Sequence, residues 1–194
     1  MSDLFLSQNS PPSDQVVIAQ TLAWLKTVVV GCNFCPFASR EIQRGSIHFE
    51  VIRSAVPETC LEAVLRECKR LDEDVAIETT LLLFPGAFPE FDDFLGLLEL
   101  GENLLFDQDY EGIYQIASFH EAYCFADAPA GDPANFTNRS LYPMLHLLRE
   151  SSLDRALESY PDPEGIPERN IAFARRKGLA YMQLLREACL ETMS

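Results

Sequence analysis

Positive charge is scarce in this chain. Fifteen Lys and Arg stand against thirty Asp and Glu, for a net charge of −15 over 194 residues. Residues 71–138 contain no Lys or Arg, yet that stretch holds half of the acids. So few cations argue against non-specific binding to nucleic acid or anionic lipid. They leave room for a small anionic ligand held by a few local arginines. Several motifs are also missing. There is no Gly-rich phosphate loop, no G-x-S-x-G elbow, no H-E-x-x-H pair and no deaminase signature. The usual nucleotide-binding, serine-hydrolase and zincin readings therefore have no support. The apolar stretch 16–32 is too short to span a membrane and is interrupted by Gln20 and Lys26. The residues before it carry no positive charge, so it does not read as a signal or an anchor. The expected compartment is the cytoplasm, where the six cysteines stay mostly reduced.

What is present fits one globular domain. Hydrophobic residues make up 47% of the chain and charged residues 23%, and this length buries a core without disulfides or a structural metal. Residues 1–14 are polar and read as a flexible tail, with a single domain over 15–194. The apolar spacing predicts helices over 16–30, 57–71 and 89–105, the last two opened by Pro57 and Pro89 at a favoured position. Alternation predicts a strand over 47–53. A second strand is predicted over 77–84, where Leu81 to Phe84 form a continuous apolar run, and a third over 113–119. Residues 120–140 form a long loop rich in aromatics. Short helices are expected over 141–150 and again after Ser151, and a terminal helix from Pro167 to about Leu190. The reading is an α/β fold: a small mixed or parallel sheet of three to four strands, flanked by helices, with a helical C-terminal part.

Three segments carry chemistry. In the first, Gly31 ends a helix and Pro36 starts another, which places Cys35 at the N-cap. Free N–H groups and the positive end of the helix dipole favour a thiolate there, so the pKa of Cys35 is expected to fall. In the second, His120 lies just past the C-terminal end of a strand, where α/β sheets bind ligands and a His acts as base or metal ligand. In the third, Asn135, Asn138 and Arg139 offer hydrogen bonds to an anionic oxygen, with Arg139 suited to a bidentate contact. His146 and Arg149 follow, three apart on the expected helix and therefore on one face. Cys32, Cys35, His120 and His146 together make a possible Cys₂His₂ set for zinc or iron, although their spacing is not that of a finger or ribbon.

The same blocks carry a resemblance. Trp24, then Val28-Val29-Val30-Gly31-x-Asn33-Phe34-Cys35-Pro36-Phe37-Ala38, resemble domain-of-unknown-function family 1415. So do Glu78-Thr79-Thr80-Leu81-Leu82 and Gln115-x-Ala117-Ser118-Phe119-His120. The likeness continues through Asp132-Pro133-x-Asn135-x-Thr137-Asn138-Arg139-Ser140-x-Tyr142-Pro143-Met144-x-His146-Leu147-Leu148-Arg149-Glu150 and Ile166-Pro167-x-x-Asn170. The resemblance implies no assigned activity. This chain departs from the family pattern in having Cys32 where the family has an aliphatic residue, and Leu141 where it has Pro.

Three functions are expected from these readings. The first is a thiol-dependent enzyme acting on a small polar or anionic substrate. It would use Cys35 as the reactive thiol, His120 or His146 as base, and Asn135, Asn138, Arg139 and Arg149 to hold the substrate. The second is a metal-binding protein using Cys35, His120 and His146. The third is a non-enzymatic module whose acidic face meets a basic partner. No cofactor and no oligomeric state are implied.

Overall fold

The computed structural model describes residues 11–192. The expected tail, 1–14, falls mostly outside them. Its last residues are held rather than loose: Arg53 donates to the Pro12 carbonyl and to the Asp14 carboxylate. Ser13 then caps α1, Asp14–Trp24. The helix does not stop there but widens into a π-helical turn, Leu25–Val30. Such turns often occur beside functional sites. Next come α2 (Ala38–Arg44), β1 (Ile47–Val51), α3 (Pro57–Glu73), β2 (Thr79–Leu83) and α4 (Phe91–Asp107). They are followed by β3 (Tyr114–Phe119), a 3₁₀ turn at Pro133–Thr137 and β4 (Met144–Arg149). The chain ends in α5 (Glu150–Glu158), α6 (Ile166–Lys177), α7 (Leu179–Glu187) and a final 3₁₀ turn, Ala188–Glu191.

The sheet has the order β1-β2-β4-β3. β1 and β2 are parallel, and β4 runs antiparallel to both β2 and β3. The fold is α/β with a mixed sheet, as the strand–helix pattern implies. β4 corrects the sequence reading, which made 141–150 a helix. Its run Met-Leu-His-Leu-Leu-Arg has no β-branched residue and no alternation. A strand in the middle of a sheet, covered on both faces, has no reason to alternate, and pairing on both sides overrides a modest helix preference. The terminal helix is likewise two helices, because Gly178 adopts φ 85° and breaks it.

Each sheet face has its own core. α3 and α4 cover one face, where Leu82, Leu145 and Leu147 meet Val64, Cys68, Phe94 and Leu97. α1, the π turn, α6 and α7 cover the other, where Leu81, Leu83 and Met144 meet Trp24, Val28, Ala174 and Met182. Side chains alternate between faces along each strand, so strand parity assigns every residue of β4 to a side. His146 goes with Met144 to the α1 face and Arg149 goes with Leu145 and Leu147 to the α3 face.

Candidate functional site

The turn that carries Cys35 is built by two residues before it. Gly31 is not left-handed, as a terminating glycine would be; its φ is −61°. It is needed for space: a Cβ there would sit 2.2 Å from the Thr27 carbonyl oxygen, inside any van der Waals contact. Asn33 supplies the left-handed residue, at φ 55°. The Phe34 N–H closes on the Val29 carbonyl at 2.8 Å. From the far side, Asn170 of α6 donates to the Phe34 carbonyl at 2.7 Å, and Phe173 meets the Phe34 ring edge-on at 5.8 Å. Sequence reasoning gave Asn170 no role; its presence in the Ile166-Pro167-x-x-Asn170 block was the available signal.

Cys35 does not occupy the N-cap of α2; Phe37 does. The sulfur still receives the backbone N–H groups of Phe37 and Ala38, and both favour a thiolate. Burial of this half-buried side chain acts more strongly in the opposite direction and pushes the thiol above its ordinary range. The expected fall in pKa is therefore corrected to a rise: desolvation outweighs two hydrogen bonds and a short helix. Two of the other cysteines are poorer candidates. Burial pushes Cys60 up to about 11 and Cys68 up to about 12, and all six are free thiols.

The sheet divides the remaining sequence-predicted residues. His146 lies on the same side as Cys35, its ring 6.3 Å from Phe119, which in turn meets Trp24 at 5.5 Å. Thr79 Oγ1 donates to the Leu147 carbonyl, which uses its proton. The 2.6 Å contact between Thr79 Oγ1 and His146 Nε2 then requires Nε2 to be the donor. Nδ1 is left as the acceptor. Desolvation lowers the pKa of His146 to about 4, so the ring is neutral at physiological pH. His120 lies on the opposite side, 1% exposed, with its ring 5.2 Å from both Phe91 and Phe94 of α4. The Ala122 N–H donates to its Nδ1 at 3.0 Å, so Nε2 carries the proton, which it gives to the Phe88 carbonyl at 2.9 Å. Both nitrogens are committed, and the ring works as a strut between β3 and the Pro85–Phe88 turn.

Most donors of the 135–149 segment are also committed. Asn135 is fully buried; its Oδ1 accepts from the Phe125 N–H and its Nδ2 donates to the Pro129 carbonyl. It organises the 120–140 loop in the manner of an internal bracket. Asn138 pairs with Thr137 and with the Tyr123 hydroxyl. Arg139 lies over the Phe136 ring and donates from Nε to the Tyr123 carbonyl and from Nη2 to the Ala130 carbonyl. Among the described residues, its Nη1 makes no such bond. Arg149 projects away from all of these, into the α3–β2 corner. It bonds the carbonyls of Leu71 and Ile77 and the hydroxyl of Tyr114. The helical face expected to join His146 and Arg149 does not exist, because on a strand residues three apart point to opposite sides.

A centre built from Cys35, His120 and His146 is not assembled, since the sheet separates His120 from the other two. Among the described residues, the metal-capable group is His48, Glu50 and Glu67, with ligand atoms within 4.8 Å of one another. Sequence reasoning placed His48 and Glu50 only on the exposed side of β1. Their carboxylate partners are already compensated: Arg66 bonds Glu50 at 2.7 Å and Arg70 bonds the buried Glu67 at 3.0 Å. Two guanidinium groups at the carboxylates oppose a cation there.

Residues 16–184 match the family described as "Protein of unknown function (DUF1415)". The chain belongs to the DUF1415 family. No curated protein and no solved structure matches it. For this DUF1415 chain, the motif blocks of the resemblance divide into two groups. Gly31–Ala38, His146 and the Asn170 block gather on the α1 face, whereas His120 and Arg149 brace the α3 face. No helix among the described residues is long and apolar enough to cross a membrane.

Proposed function

We propose that this protein is a cytoplasmic thiol-dependent enzyme acting on a small polar or anionic substrate, with Cys35 as the reacting thiol. The observation that carries the reading is the turn at Cys35. A half-buried sulfur receives two backbone N–H groups at the start of a helix, and a π turn, a steric glycine and Asn170 hold that turn in place. Those N–H groups cost no reorganisation when negative charge develops on sulfur. At rest the sulfur holds its proton. His146, neutral and with Nδ1 as acceptor, is the base on this side of the sheet; it replaces His120, whose nitrogens are both engaged. Nη1 of Arg139 is a cationic group available for an anionic substrate, whereas Asn135, Asn138 and Arg149 shape the scaffold.

Cys35 is alkylated in native protein with iodoacetate and with iodoacetamide, and the two rates are compared with those of a free thiol. The reading predicts that Cys35 favours the anionic reagent more than a free thiol does, and that Arg139→Gln removes the preference. A Cys35 that reacts with neither reagent until the chain unfolds would end the proposal.

A further inference from the structure

β3 is an edge strand, and the alternation of an antiparallel ladder fixes which of its groups face outward. Glu150 N–H bonds the Ile113 carbonyl. With the register Tyr114↔Arg149, residues 113, 115, 117 and 119 therefore bond β4, and residues 114, 116, 118 and 120 turn their backbone groups away from it. Three of these outward groups are occupied: Tyr114 N–H bonds the Tyr110 carbonyl, His120 N–H bonds the Asn138 carbonyl, and the His120 carbonyl accepts from the Tyr123 N–H. Among the described residues, nothing pairs the N–H and C=O groups of Ile116 and Ser118. Natural edge strands are usually blunted by charge, proline or a covering element. Here the strand lies beside a groove lined by Phe106 and Leu105 of α4, with Phe106 64% exposed and neighbouring Ile113 47% exposed. The groove is ringed by Glu102, Glu111 and Glu150, and all of its lining except Glu150 comes from the 71–138 stretch that has no Lys or Arg.

We infer that this edge binds an extended, basic segment of a partner protein by strand addition. Backbone pairing at Ile116 and Ser118 supplies affinity, an apolar side chain against Phe106 supplies the anchor, and Lys or Arg at alternate positions meet the glutamates. A second copy of this chain fits poorly, because two such edges would bring like charges together. The surface shares no residue with Cys35, His146 or Arg139, so the inference stands independently of the enzyme reading.

The probe is a fluorescent peptide of alternating Lys and Val, titrated into the full chain by anisotropy. It is compared with the same peptide N-methylated at alternate amides and with its Glu-Val counterpart. The inference predicts saturable binding of the Lys-Val peptide alone, weakening as salt rises. Phe106→Ala is expected to weaken it about tenfold, the loss typical of a truncated interface anchor. Ser118→Pro, which deletes an outward N–H and spares the β4 ladder, is expected to do the same. Phe106→Ala changes an exposed side chain and so keeps the test valid if the proline variant does not fold. Equal binding of the methylated peptide, or indifference to Phe106→Ala, would reduce the effect to general charge attraction and overturn the inference. So would sedimentation showing that the free chain dimerises through this edge.

Discussion

His120→Leu separates a structural histidine from a catalytic one. The native ring is 1% exposed, with each nitrogen serving one backbone group. Leu keeps much of the volume between Phe91 and Phe94, so little of the effect comes from a cavity. It leaves the Phe88 carbonyl without a donor and the Ala122 N–H without an acceptor. Phe88 is buried, so its carbonyl bears the full desolvation penalty of about 1–3 kcal/mol. Ala122 is exposed, and water recovers part of its bond, which limits that loss to about 0.5–1.5 kcal/mol. The expected destabilisation is about 2–4 kcal/mol, read as a lower midpoint in urea with an unchanged slope. Alkylation of Cys35 in the folded variant should remain within twofold of wild type. A stability loss below about 1 kcal/mol, combined with a large loss of Cys35 reactivity, would refute the strut and return His120 to the chemistry.

Further expectations follow from the same geometry. Gly31→Ala places a Cβ against the Thr27 carbonyl, a backbone atom that cannot swing aside, and should cost about 3 kcal/mol by overpacking while slowing Cys35 alkylation. Arg149→Met leaves the Leu71 and Ile77 carbonyls unpaired and should cost about 2–3 kcal/mol in urea denaturation, with no effect on Cys35. The folded-state pKa of His146, about 4, lies below that of the unfolded chain. Its contribution is therefore complete above the unfolded pKa of about 6.5 and is lost as pH falls from there towards 4. Between pH 7 and 4.5 wild type should lose about 2–3 kcal/mol more than His146→Gln; superimposable stability profiles would contradict a neutral, desolvated imidazole.

The sequence made some features of the fold legible and hid others for physical reasons. β2 was readable because Leu81, Leu82 and Leu83 stand between a Thr pair and Pro85-Gly86. α3 and α4 were readable because their apolar stripes face one layer and a proline opens or precedes each. β4 was not, because a central strand made of Leu, Met and His has the composition of a helix and no periodicity to correct it. Misreading β4 also misplaced the site. Once 144–149 is extended, His146 and Arg149 part company, and His120 is cut off from Cys35 by the sheet itself. A break in the chain around Cys35 was legible from Gly31 and Pro36, but not its construction: Gly31 acts through space, Asn33 supplies the left-handed residue, and the helix starts two residues later than Pro36. The burial that raises the Cys35 thiol pKa was not legible either, because Cys35 packs against a core assembled from segments more than a hundred residues apart. The donors of the 135–139 segment could be counted in sequence. Whether they serve a ligand or the loop depends on carbonyls such as those of Tyr123 and Ala130, which only the folded loop brings near.

The central claim concerns Cys35 and is tested most directly by alkylating native protein across pH, with labelling resolved cysteine by cysteine. The account predicts that Cys35 reacts ahead of the other five. Its rate should climb with pH without levelling by pH 9, because burial raises the thiol, and His146→Gln should slow it. A Cys35 rate that is already flat at neutral pH would contradict the protonated resting thiol. A Cys35 that stays unlabelled until denaturant is added would contradict the proposed function itself.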